Sequence, residues 1–135
     1  YGQNVCENLL PSGYAVASVN TVTGAETYTP LNHMYNWVNV AYGEAWKVAL
    51  YAGYLKNFGT SDKPVGEFYG LATDADMMYK ISPQLIYTYK NFMFGAELSW
   101  TTVAYGDRDL NDFGKVKNTI NVTNFRNMLS IAYNF

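Results

Sequence analysis

Few side chains in this 135-residue chain are equipped for chemistry. His33 is the only histidine and Cys6 the only cysteine. A thiol needs a base beside it to become a nucleophile, and nothing in the sequence brings His33 to Cys6, so nucleophilic catalysis has no support. A single cysteine forms no internal disulfide and reads as a small apolar or half-exposed side chain. The stretch GDRDLNDFGKVKN sets Asp107, Asp109, Asn111 and Asp112 at spacings that partly resemble the start of a calcium loop. Asp112 stands where such a loop needs glycine, and Asn118 where it needs glutamate. Solvated carboxylates are the plainer reading, with Asp107 and Asp109 as the candidates a Ca²⁺ ion would use. The triplet Asn121-Val122-Thr123 matches a glycosylation sequon by composition alone. No enzyme activity and no cofactor are expected.

The other charges with an ordered setting are Lys47, Lys80, Glu97 and Arg126. Each falls inside an alternating stretch and shares parity with that stretch's small and polar residues. What positions them is a period of two, the signature of strands with two unlike faces. In FMFGAELSWTTVAY (92–105), Phe92, Phe94, Ala96, Leu98 and Trp100 oppose Met93, Gly95, Glu97, Ser99 and Thr101. In MMYKISPQLIYTY (77–89), Tyr79, Ile81, Leu85, Tyr87 and Tyr89 oppose Lys80, Ser82, Gln84 and Thr88. In WKVALYAGYLKNF (46–58), Trp46, Val48, Leu50, Ala52 and Tyr54 oppose Lys47, Ala49, Tyr51 and Gly53. Residues 33–42 set Val38, Val40 and Tyr42 against Asn39 and Ala41, and 121–135 set Leu129, Ile131, Tyr133 and Phe135 against Arg126, Met128 and Ser130. Residues 13–20 read as a weaker strand and 1–12 are ambiguous. Pro83 lacks the N–H that a continuous ladder uses, so a bulge or irregularity is expected there. β-Branched and aromatic residues are enriched and no 3.6-residue period persists, which argues against helix.

The connections are unequal. The segments GEA before Trp46 and KN before Phe92 are hairpin turns. Residues 21–32, 59–76 and 106–120 read as long polar loops. Short and long connections alternate, so the short turns share one end of an up-and-down meander. Ten of the eleven acids lie outside the strands so drawn, Glu97 being the exception.

Composition says which medium the faces meet. The chain holds 13 Tyr, 7 Phe and 3 Trp, against only 15% charged residues. Tyrosine is a ring with a polar tip, suited to a boundary between oil and water. Rings crowd the short-turn end (Trp46, Tyr87, Phe94, Tyr133, Phe135) and recur near the other (Tyr54, Tyr79, Trp100), with Leu50, Leu85, Leu98 and Ile131 between. Two aromatic bands around an aliphatic belt match a sheet that meets lipid on its apolar side. Strands cross a bilayer in roughly 9–11 alternating residues, invisible to hydropathy averages. A soluble lipocalin-like barrel is the competing architecture, though its ends would not show so regular a contrast. Net charge is −2 with no basic run, which leaves nothing for nucleic acid. With neither a signal peptide nor an initiator Met, the chain reads as a mature product or a piece of something longer.

The expected fold class is therefore all-β: an antiparallel up-and-down transmembrane β-barrel, with residues 1–135 supplying a single segment of about 6–7 strands. Bacterial barrels of one chain start at about eight strands, so the rest of the same barrel is expected elsewhere. Tyr133 and Phe135 resemble the β-signal read by the outer-membrane assembly machinery. YGQNVCENL, GYAVASVNTVTGAETYTPLN, WKVALYAGYLKNFGTSD, YKISPQLIYTY, FGAELSWTTVAYG and KVKNTINVTNFRNMLSIAYNF are together similar to the C-terminal part of DcaP-like porins of Bacteroidota outer membranes. The similarity extends over nearly the whole chain and rests on the order and spacing of the motifs. It implies a large barrel, a homotrimer, and passive transport of small hydrophilic solutes across the outer membrane. Lys47, Lys80, Glu97 and Arg126 would then line the pore. They form either a weakly cationic wall favouring anionic solutes such as carboxylates, or a ladder that neutralises itself. A small plugged barrel with an adhesin or structural role, presenting loops 59–76 and 106–120, is the alternative.

Overall fold

The computed structural model describes residues 1–3 and 12–135. Cys6, and the expectation attached to it, lies outside the described residues. The fold is an all-β antiparallel up-and-down sheet, as expected. Its strands are β1 (Gly2–Gln3), β2 (Ser12–Val19), β3 (Glu26–Gly43), β4 (Trp46–Thr60), β5 (Phe68–Leu71), β6 (Ala75–Tyr89), β7 (Phe92–Asp109) and β8 (Lys115–Tyr133). Their order is β5-β2-β3-β4-β6-β7-β8, with β1 paired to β3. The two tight turns fall at 44–45 and 90–91. Gly43 enters the first at φ 117°, where a Cβ would run into the Trp46 carbonyl. β6 passes through Pro83 as one strand.

The strands are longer than the periodicity suggested, and three expected loops shrink. The connection placed at 21–32 is only 20–25, because β3 begins at Glu26. Thr27, Tyr28 and Thr29 look polar but are β-branched or aromatic, and they pair with β2 from Ala15↔Thr29 to Ser18↔Thr27. The connection placed at 106–120 is only 110–114. β7 runs to Asp109, a 3-10 turn covers Leu110–Asp112, and β8 starts at Lys115. The connection placed at 59–76 contains β5, which turns back to pair with β2 (Tyr14↔Tyr69, Ala15↔Phe68). Glu26, Asp76, Asp107 and Asp109 consequently join Glu97 inside strands, each near a strand end.

The chain divides into two compact units. Unit 1 comprises Tyr1–Tyr35, Leu55–Met78 and Val103–Val122, and unit 2 comprises Asn36–Tyr54, Tyr79–Thr102 and Thr123–Phe135. Every buried apolar side chain among the described residues belongs to unit 1: Ala15, Val16, Leu31, Leu55, Ala75, Met78, Ala104 and Val116. Leu55 and Met78 pack together, with Tyr35 and Val103 against them. Much of the rest of this interior is polar and hydrogen-bonded, as buried polar groups must be. Asn57 donates to the Ala75 carbonyl at 3.0 Å, and Thr60 Oγ1 donates to the Phe113 carbonyl at 2.9 Å. Lys56 is the first charge on the apolar parity of β4, and Asp76 receives it with both oxygens at 2.7 Å.

Residues 61–74 form a strap across unit 1. On one side they meet β2, where Val65 donates to Val16 at 2.8 Å and Val16 donates to Glu67 at 3.0 Å. On the other they meet the β7–β8 end. Arg108 donates to Thr73 Oγ1 at 2.6 Å and stands 4.7 Å from the centroid of the Phe68 ring, a cation–π contact. Phe68 also lies over Gly114, leaving no room for a Cβ there. His33 is 2% exposed in unit 1 and neither ring nitrogen has a hydrogen-bond partner among the described residues. Burial holds its pKa below the ordinary 6.5.

Two outcomes follow. Gly114 and Gly24 both have positive φ, 66° and 72°, but only Gly114 faces a neighbour within 4 Å. Gly24→Ala should cost about 1 kcal/mol of left-handed strain, and Gly114→Ala about 2–3 kcal/mol because Phe68 must also move, as thermal denaturation will read. His33 is depressed in the folded state, so its contribution is full above about pH 6.5 and is lost as pH falls from there toward its lowered value. Limited proteolysis of unit 1 should quicken over that window, and His33→Leu should flatten the response.

Candidate functional site

Unit 2 is five strand segments, 36–43, 46–54, 79–89, 92–102 and 123–133, and alternation gives them two faces. Among the described residues its buried side chains are Ser82, Ser99 and Thr102, all small hydroxyls. Thr102 and Thr123 bring their hydroxyls to 2.9 Å across β7 and β8.

The apolar face carries the four aliphatic residues expected on it, and each is exposed: Leu50 48%, Leu85 43%, Leu98 49% and Ile131 72%. The expected rings gather into one row. Trp46 stacks on Tyr87 at 4.3 Å, and Tyr87 lies 6.2 Å from Phe94. Phe94 lies 6.1 Å from Phe92, Phe92 4.8 Å from Tyr133, and Tyr133 5.3 Å from Phe135. The row crosses from β4 through β6 and β7 to β8. Phe92 is the link that joins the five named rings, and its apolar parity in 92–105 was the signal for it. An apolar notch of about 330 Å³ opens on this face between Trp46, Leu85, Tyr87, Phe94 and Ile131.

The mixed face brings together three of the four charges. Glu97 Oε1 lies 3.9 Å from Lys80 Nζ and 3.8 Å from an Arg126 nitrogen. Both separations exceed hydrogen-bond length, so the attraction acts through space. The direct bonds to Glu97 come from neutral donors: Ser82 Oγ donates at 2.7 Å and Gln84 Nε2 at 3.2 Å. Lys80 also stands 5.6 Å from the centroid of the Tyr51 ring. Lys47 takes part in no ion pair among the described residues. Sequence reasoning put Ser82 and Gln84 on the mixed parity with Lys80 but did not name them as partners of Glu97. Counting outward from the turn at 90–91 sets residue 84 opposite 97, so the signal was present. Arg126 is 62% exposed, and solvent screening keeps its share of the pair small, about 0–1 kcal/mol.

The acidic loop of unit 1 is occupied by the chain's own cations. Lys117 reaches Asp109 at 2.8 Å and Asp112 at 3.0 Å, and Lys115 reaches Asp112 at 2.9 Å. Those ammonium groups, with the Asn111 amide on Asp109, hold both carboxyls below the usual carboxylate range. Asp107 enters none of these pairs. No group of three His, Cys, Asp or Glu among the described residues could hold a metal ion.

If the aromatic row is one coupled structure, Trp46 and Tyr87 will not behave independently. A double-mutant cycle with Trp46→Ala and Tyr87→Ala should return a coupling of about 0.5–1.5 kcal/mol, whereas Trp46 with the remote Tyr133 should return near zero. Comparison with known proteins gives no match: no family model, no curated protein and no solved structure resembles this chain closely enough to count.

Proposed function

We propose that this chain is part of the wall of an outer-membrane β-barrel porin of the DcaP-like kind that its sequence resembles. In this reading the apolar face of unit 2 touches hydrocarbon and the mixed face is wetted. One observation carries it: unit 2 buries no apolar side chain among the described residues, while Leu50, Leu85, Leu98, Ile131, Trp46, Phe94 and Tyr133 stand exposed on one face. In water each such side chain would forgo about 1.5–3 kcal/mol of burial. Monomeric soluble proteins rarely leave so continuous an apolar surface uncovered.

Three further points support the reading. The strand segments of unit 2 are close in length to the roughly 9–11 residues that cross a bilayer. The row from Trp46 to Phe135 has the character of a headgroup-level girdle. The charges within the strand segments of unit 2, Lys47, Lys80, Glu97 and Arg126, keep the parity of the other face, where a barrel has its lumen. β8 ends the sheet order, and an unpaired strand edge in hydrocarbon costs several kcal/mol per orphaned backbone group. Further strands of the same barrel would pair with that edge. Homotrimer assembly, passage of small hydrophilic solutes, and recognition of Tyr133 and Phe135 by the assembly machinery belong to the same proposal.

The packed interior of unit 1 favours a second reading. Leu31, Leu55 and Met78 fill it and the strap crosses it, which suits a small plugged barrel with an adhesin or structural role.

Purified protein added to planar bilayers separates the readings. The porin reading expects stepwise, long-lived conductance. Insertion into vesicles without conductance supports the plugged barrel. Recovery as a soluble, lipid-indifferent monomer defeats both. Leu98→Lys should cost about 2–4 kcal/mol of folding stability in vesicles, the penalty of a cation in the hydrocarbon layer, as urea titration will measure.

A further inference from the structure

We propose that Glu97 sets the charge selectivity of the mixed face of unit 2 by acting as a built-in counter-ion between Lys80 and Arg126. The proposal rests on the porin reading, in which that face lines the permeation path. Glu97 is the only acid well inside the strand segments of unit 2, and three cations, Lys47, Lys80 and Arg126, share its parity. It sits on β7, flanked in the sheet by β6 with Lys80 and β8 with Arg126.

The geometry separates what fixes Glu97 from what it neutralises. Ser82 at 2.7 Å and Gln84 at 3.2 Å hold the two carboxylate oxygens by hydrogen bonds. Lys80 and Arg126 stand off at 3.9 and 3.8 Å, so their N–H donors are not spent on it. Two cations and two neutral donors converging on one position are what a carboxylate or another small anion needs. The chain's own carboxylate occupies that position. An approaching anion therefore meets a place already filled by its own sign of charge, while an approaching cation meets Lys80 and Arg126 only after compensation. One carboxylate offsets one of these two cations, so the cluster keeps a single positive charge, to which Lys47 adds another, and the wall stays mildly cationic.

Removing the charge while keeping the shape uncovers the site. Glu97→Gln retains an oxygen for Ser82 and leaves Lys80 and Arg126 uncompensated. Arg126→Gln removes one cation and leaves Glu97 in place. Purified wild-type and variant channels in planar bilayers, held in asymmetric KCl, give the chloride-to-potassium permeability ratio from the reversal potential. Glu97→Gln should raise that ratio by about fivefold, the effect of one unit charge felt at contact distance through water. Arg126→Gln should move it in the opposite direction. A local collapse of the wall would move both variants the same way, so a shift of one sign in both overturns the proposal, as does an unchanged ratio in conducting channels. Wild-type protein that inserts without conducting overturns the porin reading itself, and this inference with it.

Discussion

The structure turns on an apolar sheet face that the described residues do not cover. Alternation at period two forces every strand of unit 2 to divide its residues between two faces. The chain puts Leu50, Leu85, Leu98, Ile131 and a row of rings on one of them and leaves all but the half-buried Tyr87 exposed. The charges follow from the same constraint. Lys47, Lys80, Glu97 and Arg126 keep the parity that spares them from that face.

Unit 1 satisfies its interior by different means. It buries a modest set of apolar residues around Leu55 and Met78 and fills the remainder with hydrogen-bonded polar side chains such as Asn57 and Thr60. Several of its charges are paired, Lys56 with Asp76, and Lys115 and Lys117 with Asp112 and Asp109. Neither ring nitrogen of His33 has a hydrogen-bond partner among the described residues, and burial favours its neutral form. The strap from 61 to 74 ties this unit to itself from both sides, through β2 and through Arg108.

Unit 2 was readable because its physics is local. The parity of Phe92, Phe94, Leu98 and Trp100 against Glu97 and Ser99 follows from strand geometry alone, and so does the gathering of the rings. The mixed-face cluster was half readable: the charges stood out, but Ser82 and Gln84 required the register that the two-residue turn imposes. Unit 1 was harder. Thr27 and Thr29 count as polar in any hydropathy reading, yet they are strand formers, and Thr29 is fully buried. Charges at 107–117 looked like a loop because sequence does not show that Lys117 will neutralise Asp109 and Asp112 across the turn. The return of 68–71 to β2 was not readable at all. It depends on a pairing between residues more than fifty positions apart, for which a single sequence carries no periodic mark.

That distant pairing sets an order of events. The hairpins closed by 44–45 and 90–91 join neighbouring segments and can form within microseconds, since little chain entropy is lost in closing two-residue loops. The partnership of β5 with β2 must instead close a loop that contains β3 and β4, at a larger cost in chain entropy. Proteins dominated by such non-local contacts fold slowly. Until that loop closes, the edge of β2 has no neighbour on its outer side and is open to recruitment by a chaperone or by a foreign β-segment.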